Sequence, residues 1–157
     1  MQQLIETIEP LPDAIRDAKA GVLRGARFCF HDAFQLTACY PDVSLVLGFL
    51  HEDGEVYPHA WIRAGEVDFD PTSSRAGPRI ALALWTHAQC RDHVFHSPSV
   101  PGRPDERAVI PPRVNRAGDI VFTEIDNRDR ELLSAGDKAR AAVLRAQLLA
   151  IIASAGR

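Results

Sequence analysis

The stretch YPHAWIRAGEVDFDPT, residues 57–72, reads as a β-hairpin with two unlike faces. A turn at Ala64-Gly65 pairs Arg63 with Glu66, Ile62 with Val67, Trp61 with Asp68, Ala60 with Phe69 and His59 with Asp70. Side chains alternate along a strand, so Ala60, Ile62, Val67 and Phe69 form an apolar face. His59, Trp61, Arg63, Glu66, Asp68 and Asp70 form the other. A one-residue slip would mix the two sets, so the pattern itself specifies the register. In that register His59 and Asp70 are directly opposed, with Cβ atoms roughly 5 Å apart. A carboxylate so placed accepts a hydrogen bond from one imidazole nitrogen, fixes the tautomer, and leaves the other nitrogen as a base. Tyr57 and Trp61 flank the histidine as expected substrate-binding residues, although Trp61 reads equally as plain packing.

The preceding strand, VSLVLGFL, extends the sheet. Asp53-Gly54 is a hairpin turn that sets Leu45, Leu47 and Phe49 on the apolar face and Gly48 opposite His59. Glycine there leaves room above the imidazole, which makes Gly48 a further candidate for substrate binding. Pro58 falls in the middle of three strands, where its missing N–H calls for a bulge.

A nucleophile is available in GARFCFHDAFQLTACY, residues 25–40. Cys29 starts a helix that carries Phe30, Ala33, Phe34 and Ala38 as an apolar stripe and ends before Pro41. The positive end of the helix dipole favours a thiolate at that position. The backbone N–H groups of the first turn have no partner within the helix and can donate to a developing oxyanion. A histidine beside the thiol would take its proton.

Cys29-Phe30-x-Asp32-Ala33, Gly48, His59-Ala60-Trp61 and Asp70-Pro71-Thr72 together resemble the transglutaminase-like branch of the papain-like cysteine-enzyme superfamily. The likeness is to small bacterial and phage domains carrying Cys-Phe-x-Asn-Ala, His-Ala-Trp and Asp-Pro-Thr. It implies an α+β fold in which a helix bearing cysteine packs on an antiparallel sheet bearing histidine and aspartate. It also implies Cys29 as nucleophile, His59 as general base and acid, and Asp70 as the orienting carboxylate. The match spans roughly residues 25–72. Asp32 replaces the usual Asn, and no glutamine lies ahead of Cys29, where papain-type members keep an oxyanion donor; Arg24 and Arg27 stand there instead. The implied chemistry is acyl transfer from a peptide, protein or other amide, with hydrolysis ahead of transfer to an amine, and it requires no cofactor.

The whole chain, 157 residues, is read as one domain with a sizeable core. A net charge of −3 offers no basic surface for nucleic acid or an anionic membrane. No apolar run is long enough for a membrane span, and the N-terminus lacks the pattern of a secretory signal. Three cysteines, Cys29, Cys39 and Cys90, point to reduced thiols and a cytoplasmic location. Residues 1–28 read as short helical pieces broken by Pro10 and Pro12, and RIALALWTHAQCRDHVF, residues 79–95, as one helix. Residues 97–118 hold five prolines and read as a functional lid or a wrapped arm. DIVFTEI reads as a strand, and residues 134–155 as a C-terminal helix opened by Ser134-x-x-Asp137, with Ala141, Leu144, Leu148, Ile151 and Ile152 on one stripe.

His87, Cys90, His93 and His96 recur every three residues, a spacing that suggests zinc. On a helix such residues wind around the axis rather than share a face, so no metal site is expected. The alternative to an enzyme is a non-catalytic binding or assembly domain of the same fold, making its contacts through the proline-rich loop and the C-terminal helix.

Overall fold

Asp53 and Gly54 close the longest hairpin, both with positive φ (51° and 77°), as a two-residue turn with right-handed strand twist requires. The computed structural model describes residues 2–25, 27–73, 76–123 and 133–156. In chain order the elements are β1 (Gln3–Ile5), β2 (Glu9–Pro10), α1 (Asp13–Ala18), α2 (Cys29–Cys39), β3 (Val43–Glu52), β4 (Glu55–Ala64), β5 (Val67–Asp70) and β6 (Arg79–Trp85). There follow α3 (His87–His96), β7 (Ser99–Val100), β8 (Arg103–Arg107), β9 (Arg113–Val114), β10 (Ile120–Val121) and α4 (Ala135–Ala155). The fold is α+β.

Six strands form one sheet in the order β1-β6-β3-β4-β5-β2. It is mixed rather than antiparallel, because β2 runs parallel to β5. The consecutive strands β1 and β2 occupy opposite edges, although only residues 6–8 separate them. Four Cα steps reach about 14 Å, whereas six flat strands would put the edges about 24 Å apart. The sheet must therefore curl, bringing its edges together. One face of the curl packs on helices: Ala33, Phe34 and Leu36 of α2, Cys90 of α3 and Leu148 of α4 join Leu45, Leu47, Phe49, Ala60, Ile62 and Ile80 in the main core. The other face turns inward and holds a smaller core of Ile5, Val46, Trp61 and Ala81.

The β3–β4 register matches the expected one, with Gly48 opposite His59 and Phe49 opposite Pro58. Pro58 needs no bulge, because the β4–β5 ladder covers only Ile62 to Ala64 and leaves that part of β4 without a β5 partner. The β4–β5 register is displaced by two residues. Ile62 pairs with Phe69, Arg63 with Asp68 and Ala64 with Val67, so the turn is Gly65-Glu66. Gly65 supplies the positive φ (62°) at the first turn position, and the shift sets Arg63 opposite Asp68, 2.8 Å apart. An even displacement keeps every side chain on its own face. The polar face is nevertheless the one turned into the curl, where His59, Trp61, Asp68 and Asp70 are all buried, whereas Val67 of the apolar face is exposed.

Three further expectations are corrected. Residues 79–95 are a strand followed by a helix, divided at Thr86, whose side chain and Gln89 form a capping box. The Leu/Ala composition favours helix, but a central place between β1 and β3 overrides that preference. The first 28 residues contain two strands besides the short α1. Residues 97–118 are no structureless arm: they hold the β7–β8 hairpin and β9, which pairs with β10. DIVFTEI is a strand only at Ile120–Val121, and its last two residues lie outside the described ones. The C-terminal helix is present, with Ser134 accepting from the Asp137 N–H. Among the described residues no helix is long and apolar enough to cross a membrane.

At Gly48, beside a register shift at Leu47/Gly48, β3 packs tightly against β6. A Cβ on Gly48 would lie 2.0 Å from the Ile80 carbonyl oxygen. Gly48→Ala is therefore expected to lower the urea unfolding free energy by about 2–3 kcal/mol; a loss below about 0.5 kcal/mol would contradict this packing.

Candidate active site

Asp70 ends β5 at the start of Asp-Pro-Thr, and the turn is built on its carboxylate. Oδ1 accepts from the Thr72 and Ser73 N–H groups, both at 3.0 Å, and from the Thr72 hydroxyl at 3.4 Å. Oδ2 accepts from His59 Nε2 at 2.6 Å and from Arg79 Nε and Nη2 at 3.0 and 2.6 Å. His59 and Asp70 meet diagonally across the β4–β5 pair rather than head-on, a distance that long side chains span. An ionised carboxylate only accepts, so Nε2 carries the hydrogen and Nδ1 remains.

The Cys29 thiol lies within hydrogen-bonding and Coulombic reach of the His59 ring. With Nε2 committed to Asp70, Nδ1 is the nitrogen left to meet it. Burial alone would weaken the ring's hold on its proton; Cys29 and Asp70 more than reverse this and raise His59 to about 9. Burial also disfavours the Asp70 charge, but His59 and then Arg79 hold that carboxyl at about 2. Both side chains are largely covered, with Cys29 8% and His59 7% exposed.

Cys29 is the first residue of α2, and its cap residue Phe28 supplies no side-chain cap bond. The intrahelical ladder begins with the Asp32 N–H on the Phe28 carbonyl, 2.8 Å. The N–H groups of Cys29, Phe30 and His31 thus precede the helix's own bonding. Asp32, noted in the sequence only as a replacement for Asn, has a structural task. Its fully buried carboxylate accepts from the Arg24 and Gly25 N–H groups at 2.9 and 2.8 Å and from His31 at 2.8 Å. It pins the chain before Cys29, where Gly25 and Arg27 both have positive φ (83° and 75°). The neighbours of Cys29 carry cations on their rings: Arg24 lies 5.7 Å from the Phe28 ring and Arg113 of β9 lies 5.1 Å from Phe30.

The three residues expected to bind substrate separate. Trp61 is fully buried, stacked on His59 with centroids 6.2 Å apart, and donates to Asp68 at 3.3 Å. It backs the imidazole from inside the curl and offers no surface to a substrate. Gly48 faces the imidazole in register, but the Ile80 carbonyl occupies the space a side chain would take, so its constraint comes from β6. Tyr57 stays accessible at 46% exposure. Arg79 is the participant that sequence reasoning missed. Its only signal is a basic residue opening the apolar run Ile80–Leu84, and a buried arginine requires a partner.

The four residues of the histidine-rich run have separate occupations. His87 donates to the Thr37 carbonyl at 2.7 Å, Cys90 is buried in the core, His93 bonds the Ile110 carbonyl at 2.8 Å, and His96 is exposed beside Asp92. Among the described residues no three His, Cys, Asp or Glu side chains converge as metal ligands.

No protein-family model matches the chain, and no curated protein and no solved structure matches it either.

A carboxyl depressed in the folded state contributes stability that is present above its ordinary value and lost as pH falls through the depressed one. For Asp70 that window runs from 3.8 down to about 2. Between pH 4 and pH 2 the protein is expected to lose about 2 kcal/mol more unfolding free energy than Asp70→Asn does over the same window. Parallel curves for the two proteins would contradict the assigned Asp70 environment.

Proposed function

We propose that this chain is a thiol-dependent acyl-transfer enzyme, resembling the transglutaminase-like branch of the papain-like superfamily, with hydrolysis of a peptide or other amide as its leading reaction. The observation that carries the reading is His59, held by the Asp70 carboxylate at 2.6 Å, with Cys29 near enough to raise the ring's affinity for its proton. Cys29 passes its proton to His59, and the sulfur attacks the substrate carbonyl carbon. The C=O π pair moves onto oxygen, where the first-turn N–H groups of α2 donate to it. The tetrahedral intermediate collapses, the C–N bond breaks, and His59 delivers its proton to the departing amine. Water, deprotonated by His59, then attacks the thioester; the C–S bond breaks, and the acid and the thiol are released. An amine in place of water gives transfer. No step requires a cofactor, and three free thiols suit a cytoplasmic protein.

A second reading is a binding or assembly domain that keeps the fold without the chemistry. The low exposure of Cys29 and His59 favours it.

Thiol alkylation separates the two. At pH 6 the enzyme reading expects iodoacetamide to label Cys29 at least about tenfold faster than the exposed Cys39, because only a paired thiolate reacts quickly there. Cys90, pushed up to about 12 by burial, should stay unlabelled. His59→Ala should bring Cys29 down to the Cys39 rate or below. Labelling of Cys29 no faster than Cys39 in the wild type would favour the binding domain.

A further inference from the structure

Three N–H donors converge on one oxygen of Asp70, and two of them belong to Arg79. Arg79 is fully buried on β6, and a further bond, from Nη1 to the Gly77 carbonyl at 2.7 Å, holds the guanidinium in that orientation. A carboxylate oxygen offers two in-plane lone pairs, so His59 and Arg79 compete for Oδ2. We infer that Arg79 is a positioning residue of the Cys29–His59 pair, fixing the Asp70 carboxylate and restraining its hold on the imidazole's proton. This rests on the enzyme reading above.

The charges give the inference a sign. With the thiol proton on His59, the cluster holds Cys29 and Asp70 as anions and His59 and Arg79 as cations, with no net charge. Nearby, Arg63 is paired with Asp68 at 2.8 Å, and the Asp32 carboxylate is held by the Arg24 and Gly25 N–H groups and the His31 ring. Arg16 of α1 donates to the Pro71 carbonyl at 3.5 Å, and Arg24 and Arg113 lie on the Phe28 and Phe30 rings. Removing the charge of Arg79 leaves the cluster one unit negative. Each deprotonation then adds to an existing negative charge in a buried setting, so every protonation step moves to higher pH.

The test is the pH profile of Cys29 alkylation by iodoacetamide, a neutral probe, in the full chain. Arg79→Gln should shift both limbs of the profile upward by roughly one to two pH units, from a unit charge a few ångströms away. Arg79→Lys keeps the charge and loses the fork; its limbs should stay within about 0.5 unit of wild type while its plateau rate falls. Asp70→Asn leaves an excess positive charge and should move both limbs down. Asp70→Asn/Arg79→Gln removes the buried ion pair together and should move them back up, which carries the test if Arg79→Gln does not fold. Limbs unmoved in Arg79→Gln, or unmoved between Asp70→Asn and the double variant, would overturn the inference and leave Arg79 as structural packing. Slow labelling of wild-type Cys29 would instead count against the enzyme reading, so the two failures are distinguishable.

Discussion

The Asp70 carboxylate is the point on which the site depends. It accepts from two backbone N–H groups, a hydroxyl, an imidazole, and the Nε and Nη2 of a guanidinium. A buried carboxylate without such partners would be neutral or expelled. With them it stays ionised, ties the end of β5 to its turn, and joins β4, β5 and β6 through three side chains. Removing one partner of so buried a cluster costs more than the net worth of the pair, because the remaining charge stays in place without compensation.

The curl of the sheet makes this burial possible. A three-residue link between the two edge strands, residues 6–8, draws the edges together and turns one face of the sheet inward. Ile5 and Ile8 pack there with Trp61, and the indole lies behind His59. The face that carries His59 and Asp70 is therefore buried within the fold. Cys29 meets it from α2, whose own packing is on the opposite side of the sheet through Ala33, Phe34 and Leu36. The approach of that helix is fixed further by Asp32, which bonds the loop ahead of Cys29.

Much of this was legible in the residues, and what was not has physical causes. Asp53-Gly54 permits a positive-φ turn, and that set the β3–β4 register through to Gly48 and His59. Period-two alternation put His59 and Asp70 on one face, and parity preserved that result through a one-residue shift of the turn, which displaces the register by two. The turn falls on Gly65-Glu66 rather than Ala64-Gly65, with Gly65 taking the positive φ at the first turn position and Arg63 pairing with Asp68 across the strands. Residues 79–85 looked helical because Leu and Ala favour helices locally, while the strand exists only through its neighbours. Arg79 was hidden for the same reason: its partner lies nine residues away in a different strand. The parallel pairing of β2 with β5 rests on a two-residue strand containing Pro10, which has no periodicity to read.

The proposed chemistry requires a proton shared between Cys29 and His59 under the charge of Asp70. Nitrogen-15 NMR of the His59 ring at pH 7.5 reads it directly. A doubly protonated imidazolium is the predicted result, with Nε2–H strongly deshielded by Asp70, and Cys29→Ser should return part of the ring to the neutral form. A wild-type ring that is neutral at that pH, with a single protonated nitrogen, would contradict the ion pair.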